Sequence, residues 1–223
     1  MMYLSGCTSK HYEQAIIDLG VGLVVQPGNS YLKRLDRFAA WGADNGCAAV
    51  VNHAVVLNPA WSLGQWVKML GAIMDLSPEV RALCIYLLVP DVPCDHEGTL
   101  DRFHLYRSWA VLTGLPIAFA LQNGATKETV PWDLFDVAFM AGTTEWKTGR
   151  PAFDLTCEAR ARGKHVHFGR VNSRERWDLV ATFGADSADG TFMRFGKPAS
   201  MVAQLKVWID NDVPRLTQQA AVV

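Results

Sequence analysis

Residues 163–190 read GKHVHFGRVNSRERWDLVATFGADSADG. Gly163 follows a helical stretch, and an apolar run over Val166–Phe168 comes next. Ser173 stands where a helix N-cap belongs, because its hydroxyl can accept a bond from a free backbone N–H of the first turn. Gly184 closes that helix, since the residue after a helix often takes a left-handed conformation. A second β-like run then starts at Asp186–Ala188. Strand, helix, glycine and strand in under thirty residues describe one βα unit.

The same rhythm runs through the chain. Gly20, Gly114, Gly163 and Gly184 all lie between a helical pattern and a β-like run. Eight such runs are expected, at Tyr3–Ser5, Leu23–Val25, Trp41–Ala43, Leu83–Val89, Ile117–Leu121, Val137–Met140, Val166–Phe168 and Asp186–Ala188. Asn58-Pro59 reads as the start of a helix whose apolar face is Leu63, Trp66, Val67, Leu70, Ile73 and Met74. Thr99 reads as the cap of a helix running to about Thr113. Pro151 opens another, and Met201, Val202, Leu205, Trp208 and Ile209 line the last. Eight βα units in one domain spanning residues 1–223 predict a small (β/α)8 barrel, of the α/β class, with a doubly wound sheet as the alternative.

Composition narrows the function. The 223 residues carry a formal charge of −1 and are 50% hydrophobic, so nucleic-acid binding would need a local basic surface. The stretch from Lys147 to Lys197, rich in Lys and Arg, is the candidate for one. Five cysteines without a C-x-x-C pattern argue against a disulfide scaffold and a structural zinc, and for a reducing compartment. No apolar run approaches the ~20 residues of a membrane span. A cytoplasmic protein without a cofactor is expected.

A barrel of this kind carries its site at the C-terminal ends of its strands. The residues found there are Gly6 and Cys7, then Gln26, then Asp44 in ADNGC and Asp91 in VPDVPCD. Gln122 and Gly124 follow in LQNG, and Gly142, Thr143 and Glu145 in AGTTEWK. Arg170 and Asn172 come from FGRVNS, and Asp189 from GADSADGT. A single aspartate there is most simply a helix cap. Three on one rim suit glycosyl transfer, with one carboxylate as nucleophile and another as acid/base. His167 has no second histidine near it in the pattern and reads as a core side chain. Cys47 reads as a buried thiol. Asp186 and Asp189 are three apart, so on a strand they face opposite ways. Asp189 belongs to the rim, and Asp186 to the strand's start.

With those strand ends in hand, the chain resembles the tRNA-guanine transglycosylase (queuine tRNA-ribosyltransferase) superfamily, in its compact phage and bacterial DNA-modifying branch. GADSADGT is similar to the stretch around the family's nucleophile, which implies that role for Asp189. ADNGC implies the second catalytic carboxylate at Asp44, and VPDV implies base recognition by Asp91. LQNG implies base contacts at Gln122 and Gly124, and AGTTEWK implies them at Gly142 and Thr143. Arg170 and Asn172 would line the substrate site, and Lys147, Arg170 and Arg194 would meet phosphates. Asn45 and Asn123 replace small residues of the family turns, and the family's zinc site is missing. The resemblance implies exchange of guanine in DNA for a 7-deazaguanine base through a covalent intermediate on Asp189. It points also to a homo-oligomer. The alternatives are the same exchange on tRNA, hydrolysis of the N-glycosidic bond, and an inactive DNA-binding barrel.

Overall fold

The computed structural model describes residues 1–211 apart from Cys7, Lys10, Ser30 and His53; the expected rim position of Cys7 lies outside the described residues. Eight parallel strands close a barrel. In chain order they are β1 (Met2–Ser5), β2 (Gly22–Val25), β3 (Trp41–Ala43), β6 (Cys84–Leu88), β7 (Ile117–Leu121), β8 (Val137–Met140), β9 (His165–Phe168) and β10 (Ser187–Gly190). Each of the eight expected runs is one of these strands. A two-stranded antiparallel hairpin, β4 (Ala48–Val51) and β5 (Ala54–Leu57), was not expected and stands between β3 and the next helix. The sequence AAVVNHAVVL encodes it through two β-branched runs around Asn52, whose φ of 49° makes the turn.

The helices are α1 (Glu13–Asp18), α2 (Leu63–Met74), α3 (Pro78–Ala82), α4 (His96–Val111), α5 (Thr144–Lys147), α6 (Arg150–Ala161), α7 (Arg174–Phe183) and α8 (Pro198–Asp210). Ser173 caps α7 as expected, accepting from the Arg176 N–H, and Gly184 ends it at a φ of 102°. Two caps differ from the sequence expectation. Ser62, not Asn58, caps α2 by accepting from the Gln65 N–H. Asn58 instead accepts from the Ala60 N–H and donates to the Gly46 carbonyl, tying down the hairpin's base. Asp95, not Thr99, caps α4 through the Gly98 N–H. Thr99 lies one turn inside and holds both backbone groups of Val92.

Two apolar layers follow from the alternation of strand side chains. Outward residues meet the helices: Trp66, Leu70 and Ile73 of α2, Phe103 of α4, Phe153 of α6 and Trp177 of α7 are buried there. Tyr3, Trp177, Trp208 and Phe192 form one aromatic contact group, which fastens α7 and α8 over the closing strands. Inward residues fill the barrel itself: Leu4, Val24, Tyr86, Leu88, Ala118, Ala120, Val137 and Phe139. The Tyr86 ring takes the space left by Gly42, where a methyl group would collide with it. The Tyr86 hydroxyl is buried without a hydrogen-bond partner among the described residues.

This packing predicts opposite outcomes for two small changes. Gly42→Ala should destabilise the protein in urea by about 1–3 kcal/mol, the usual cost of overpacking a filled core. Tyr86→Phe should leave stability equal or higher, because an unsatisfied buried hydroxyl is removed. A Tyr86→Phe loss as large as that of Gly42→Ala would show that the hydroxyl is engaged.

Candidate functional site

The C-terminal ends of the barrel strands surround a cavity of about 420 Å³. Asp44, Asp91, Gln122, Arg170, Asn172, Asp189 and Arg194 all line it. Ala48, Val50 and Val55, on one face of the β4–β5 hairpin, give it an apolar wall. Four sequence candidates are not brought there. Gly124 lies beside His96 in a separate depression. Gly142 packs against Trp146 and Asn123. Thr143 caps α5, accepting from the Trp146 N–H, and is bonded to Asn123. Lys147 is 2% exposed, and its Nζ donates to the Gly169 carbonyl. Burial holds its ammonium well below the usual lysine range, and the nearby Arg170 adds to that. A surface role in gripping phosphates is closed to it.

The three aspartates differ in their surroundings. Asp91 is 4% exposed. Its two oxygens accept from Asn45 Nδ2 at 2.9 Å and Gln122 Nε2 at 2.6 Å, while Gln122 Oε1 accepts from the Cys94 N–H at 2.9 Å. Burial raises the pKa of Asp91, and the bonds from Asn45 and Gln122 pull it back. Asp91 and Gln122 are thus bonded to each other in the cavity wall.

Asp44 accepts from the Gly46 N–H at 2.9 Å and from Gln26 Nε2 at 3.3 Å. Its side chain is half-buried in the cavity wall. Burial pushes its pKa up to about 7, and the charges of Asp189 and Asp91 push the same way against the bond from Gly46. A carboxyl so placed can give or take a proton near neutrality.

Asp189 stands at the end of β10, opposite Leu4 of β1. Its Oδ1 is 3.0 Å from His167 Nε2. Gly190 follows because nothing larger fits: a methyl group would run into Asn172 Oδ1, the Tyr3 hydroxyl and the Val171 carbonyl. Asn172 also accepts from the Thr191 N–H at 2.7 Å, fixing the two strand ends together. Asp186 behaves as expected of the strand's start. It accepts from the Val166 N–H at 2.9 Å and pairs with Arg160 at 3.3 Å.

Arg170 and Arg194 bring positive charge to the same side as Asp189. Arg170 has a φ of 60°, and its Nη2 donates to the carbonyls of Ala141, at 2.7 Å, and Gly142. Arg194 is exposed on the turn after β10. Cys47 is buried, and burial pushes its thiol up, away from the reactive thiolate. Among the described residues no group of three His, Cys, Asp or Glu is placed to hold a metal. His167 is buried, as expected of a core side chain. Its bond to Asp189 has a signal in the sequence: it stands two residues after His165 on the same face of a strand, beside a strand that carries Ser187 and Asp189 at the same spacing.

No helix among the described residues is long and apolar enough to cross a membrane. No protein-family model matches the chain, and no curated protein matches it in sequence. Solved structures share its fold. One is the 4-hydroxy-2-oxoglutarate/2-dehydro-3-deoxyphosphogluconate aldolase from TTHB1, at 13% identity and a TM-score of 0.55, covering 94% of this chain and 92% of that one. A second is the 3-keto-L-gulonate-6-phosphate decarboxylase of Vibrio cholerae, at 10% and 0.53, covering 96% and 99%. A third is the 3-hexulose-6-phosphate synthase of Salmonella typhimurium, at 12% and 0.50, covering 94% and 98%. These barrels belong to a different superfamily from the transglycosylases. The expectation of guanine exchange is corrected accordingly, for DNA and for tRNA, and with it N-glycosidic hydrolysis and an inactive DNA-binding barrel. What the likeness shows is the fold: a small (β/α)8 barrel.

Proposed function

We propose that the chain is an acid–base enzyme that makes and breaks a carbon–carbon bond next to the carbonyl of a small anionic oxo compound, such as an oxo acid or a sugar phosphate. The observation that carries this reading is that Asp44 and Asp189 line one cavity, where burial pushes Asp44 up to about 7. The barrel side of that cavity holds the reacting carbons between two carboxyls. The anionic group of the substrate lies toward Arg170 and Arg194, with Thr191 and Asn172 beside them. Barrels of this architecture frequently bind phosphate at the loops after the seventh and eighth strands, which is where these four residues stand. The aldolase, synthase and decarboxylase that share the fold are named for oxo acids and sugar phosphates of this kind.

In the bond-making direction, Asp44 as carboxylate takes a proton from the carbon next to the carbonyl. The enolate left behind attacks the carbonyl carbon of the second reactant. The new alkoxide oxygen takes a proton delivered from solvent by way of Asp189, whose charge otherwise helps to raise Asp44. One proton enters Asp44 and one is passed on through Asp189, and cleavage is the same path reversed.

A panel of oxo acids and sugar phosphates in deuterium oxide tests this. The native chain should exchange hydrogen next to the carbonyl of at least one of them, read by NMR. The rate should rise with pH through about 7 and fall by about 10²–10⁴ in Asp44→Asn. No exchange from any anionic oxo compound would overturn the reading. Arg194→Ala should weaken binding of the same compound with less effect on the pH midpoint.

Stability should carry the same signature. The Asp44 pKa is raised in the folded state from 3.8 to about 7. The fold therefore binds that proton more tightly than the unfolded chain. The associated stability is present at low pH and is lost as pH rises to about 7. Asp44→Asn, which stays neutral, should become more stable relative to the native chain between those values. A constant difference across that window would contradict the raised pKa.

A further inference from the structure

The barrel interior is apolar on most of its strands, but β9 and β10 carry an unbroken polar row through it. His165 Nε2 is 2.7 Å from Ser187 Oγ. Ser187 Oγ is 2.8 Å from His167 Nδ1, and His167 Nε2 is 3.0 Å from Asp189 Oδ1. Ser187 and His167 are fully buried. The His167 ring is packed between Tyr86 of β6 and Phe139 of β8, with centroids 4.5 and 4.6 Å away. Apolar packing alone does not call for this row, since the interior side chains of β1, β2, β6, β7 and β8 are apolar or aromatic.

The row has two ends. Asp189 lines the catalytic cavity. His165, at the start of β9, lines a separate surface depression of about 370 Å³ with Arg160, Lys164 and Asp186, at the barrel's N-terminal end. We propose that His165, Ser187 and His167 form a proton relay that joins Asp189 to water on the face of the barrel opposite the active site. This rests on the reading of Asp189 as the residue that gives up a proton in the reaction.

The bonding pattern allows the transfer with every valence filled. Asp189, once it has given its proton away, is a carboxylate facing the His167 Nε2–H. Ser187 donates to His167 Nδ1 and accepts from the His165 Nε2–H. Water at the far face protonates His165 at Nδ1. The His165 Nε2 proton then passes to Ser187 Oγ, the Ser187 proton to His167 Nδ1, and the His167 Nε2 proton to Asp189 Oδ1. Asp189 is reloaded and each donor has become an acceptor, so the same groups carry a proton back. His165, His167 and Ser187 are positioning residues in this scheme, since none of them touches the substrate.

Burial lowers the pKa of His165, the Asp186 charge opposes that and the neighbouring His167 adds to it. Asp186 is itself held by Arg160. Lys164 is turned to the Phe135 carbonyl and ring. His167 faces Tyr86, Phe139, Ser187 and Asp189, with no other charged side chain bonded to it among the described residues.

The test needs no substrate. Long-range proton–nitrogen NMR of the histidine-labelled full chain reads which ring nitrogen of each histidine bears the proton, from about pH 5 to about pH 8. Both rings should carry it on Nε2 in the neutral state. His165 protonated on Nδ1 beside His167 protonated on Nε2 would leave Ser187 facing two lone pairs, and overturns the relay without any variant. Asp189→Asn should then change the proton affinity of His165 by about tenfold, or one pKa unit. With Ser187→Ala that response should shrink to within about twofold, and Ser187→Thr should restore it. A response equally large without the serine hydroxyl, or absent with it, contradicts the relay. A relay that passes beside an enzyme that fails the oxo-compound panel rejects only the proposed reaction.

Discussion

The barrel depends on the parallel pairing of β1 with β10. Met2 lies opposite Ser187, Tyr3 opposite Ala188, Leu4 opposite Asp189 and Ser5 opposite Gly190. That register is fixed to the residue, because a slip by one would turn every side chain to the other face. In the observed register Tyr3 points outward to Trp177 and Trp208, and Leu4 points inward. Asp189 then comes to the rim beside the inward row, and Ser187 one layer below it. Closure, the aromatic clamp outside and the polar row inside are consequences of one strand alignment.

Around the mouth, three aspartates are held in three different ways. Asp91 accepts hydrogen bonds from Asn45 and Gln122 and becomes part of the wall. Asp189 is held by His167. Asp44 has one side-chain partner, Gln26, and burial with the charges of Asp189 and Asp91 pushes its pKa up to about 7. Burial of charge without full compensation is costly to the fold, and such groups cluster where chemistry is done. The hairpin adds an apolar wall over these acids, which lowers the polarity in which they act.

Much of this is legible in the sequence. Trp41–Ala43, Ile117–Leu121 and Val137–Met140 are strands to the residue, because short apolar runs between glycine-ended helices have few other readings. Asp44, Asp91, Gln122 and Asp189 were findable at the mouths of such runs. What escaped was set by contacts between distant strands. His167 looks like an isolated core histidine until β10 places Ser187 and Asp189 alongside it. Lys147 looks like a surface cation because the four-residue α5 gives too little periodicity to reveal a buried face. The hairpin escaped because its runs are apolar on both faces and largely exposed, against the usual pattern. The family resemblance failed in a related way: short motifs at strand ends are what any barrel site of this kind provides, and they do not fix the reaction.

The account rests most heavily on Asp44. Carbon-13 NMR of labelled aspartates, with Asp44 assigned through Asp44→Asn, measures its titration directly. The midpoint should lie at about 7 and should fall when Asp189→Asn removes the neighbouring charge. A midpoint near 4, in the ordinary carboxylate range and indifferent to Asp189, would contradict the acid–base site proposed for this barrel.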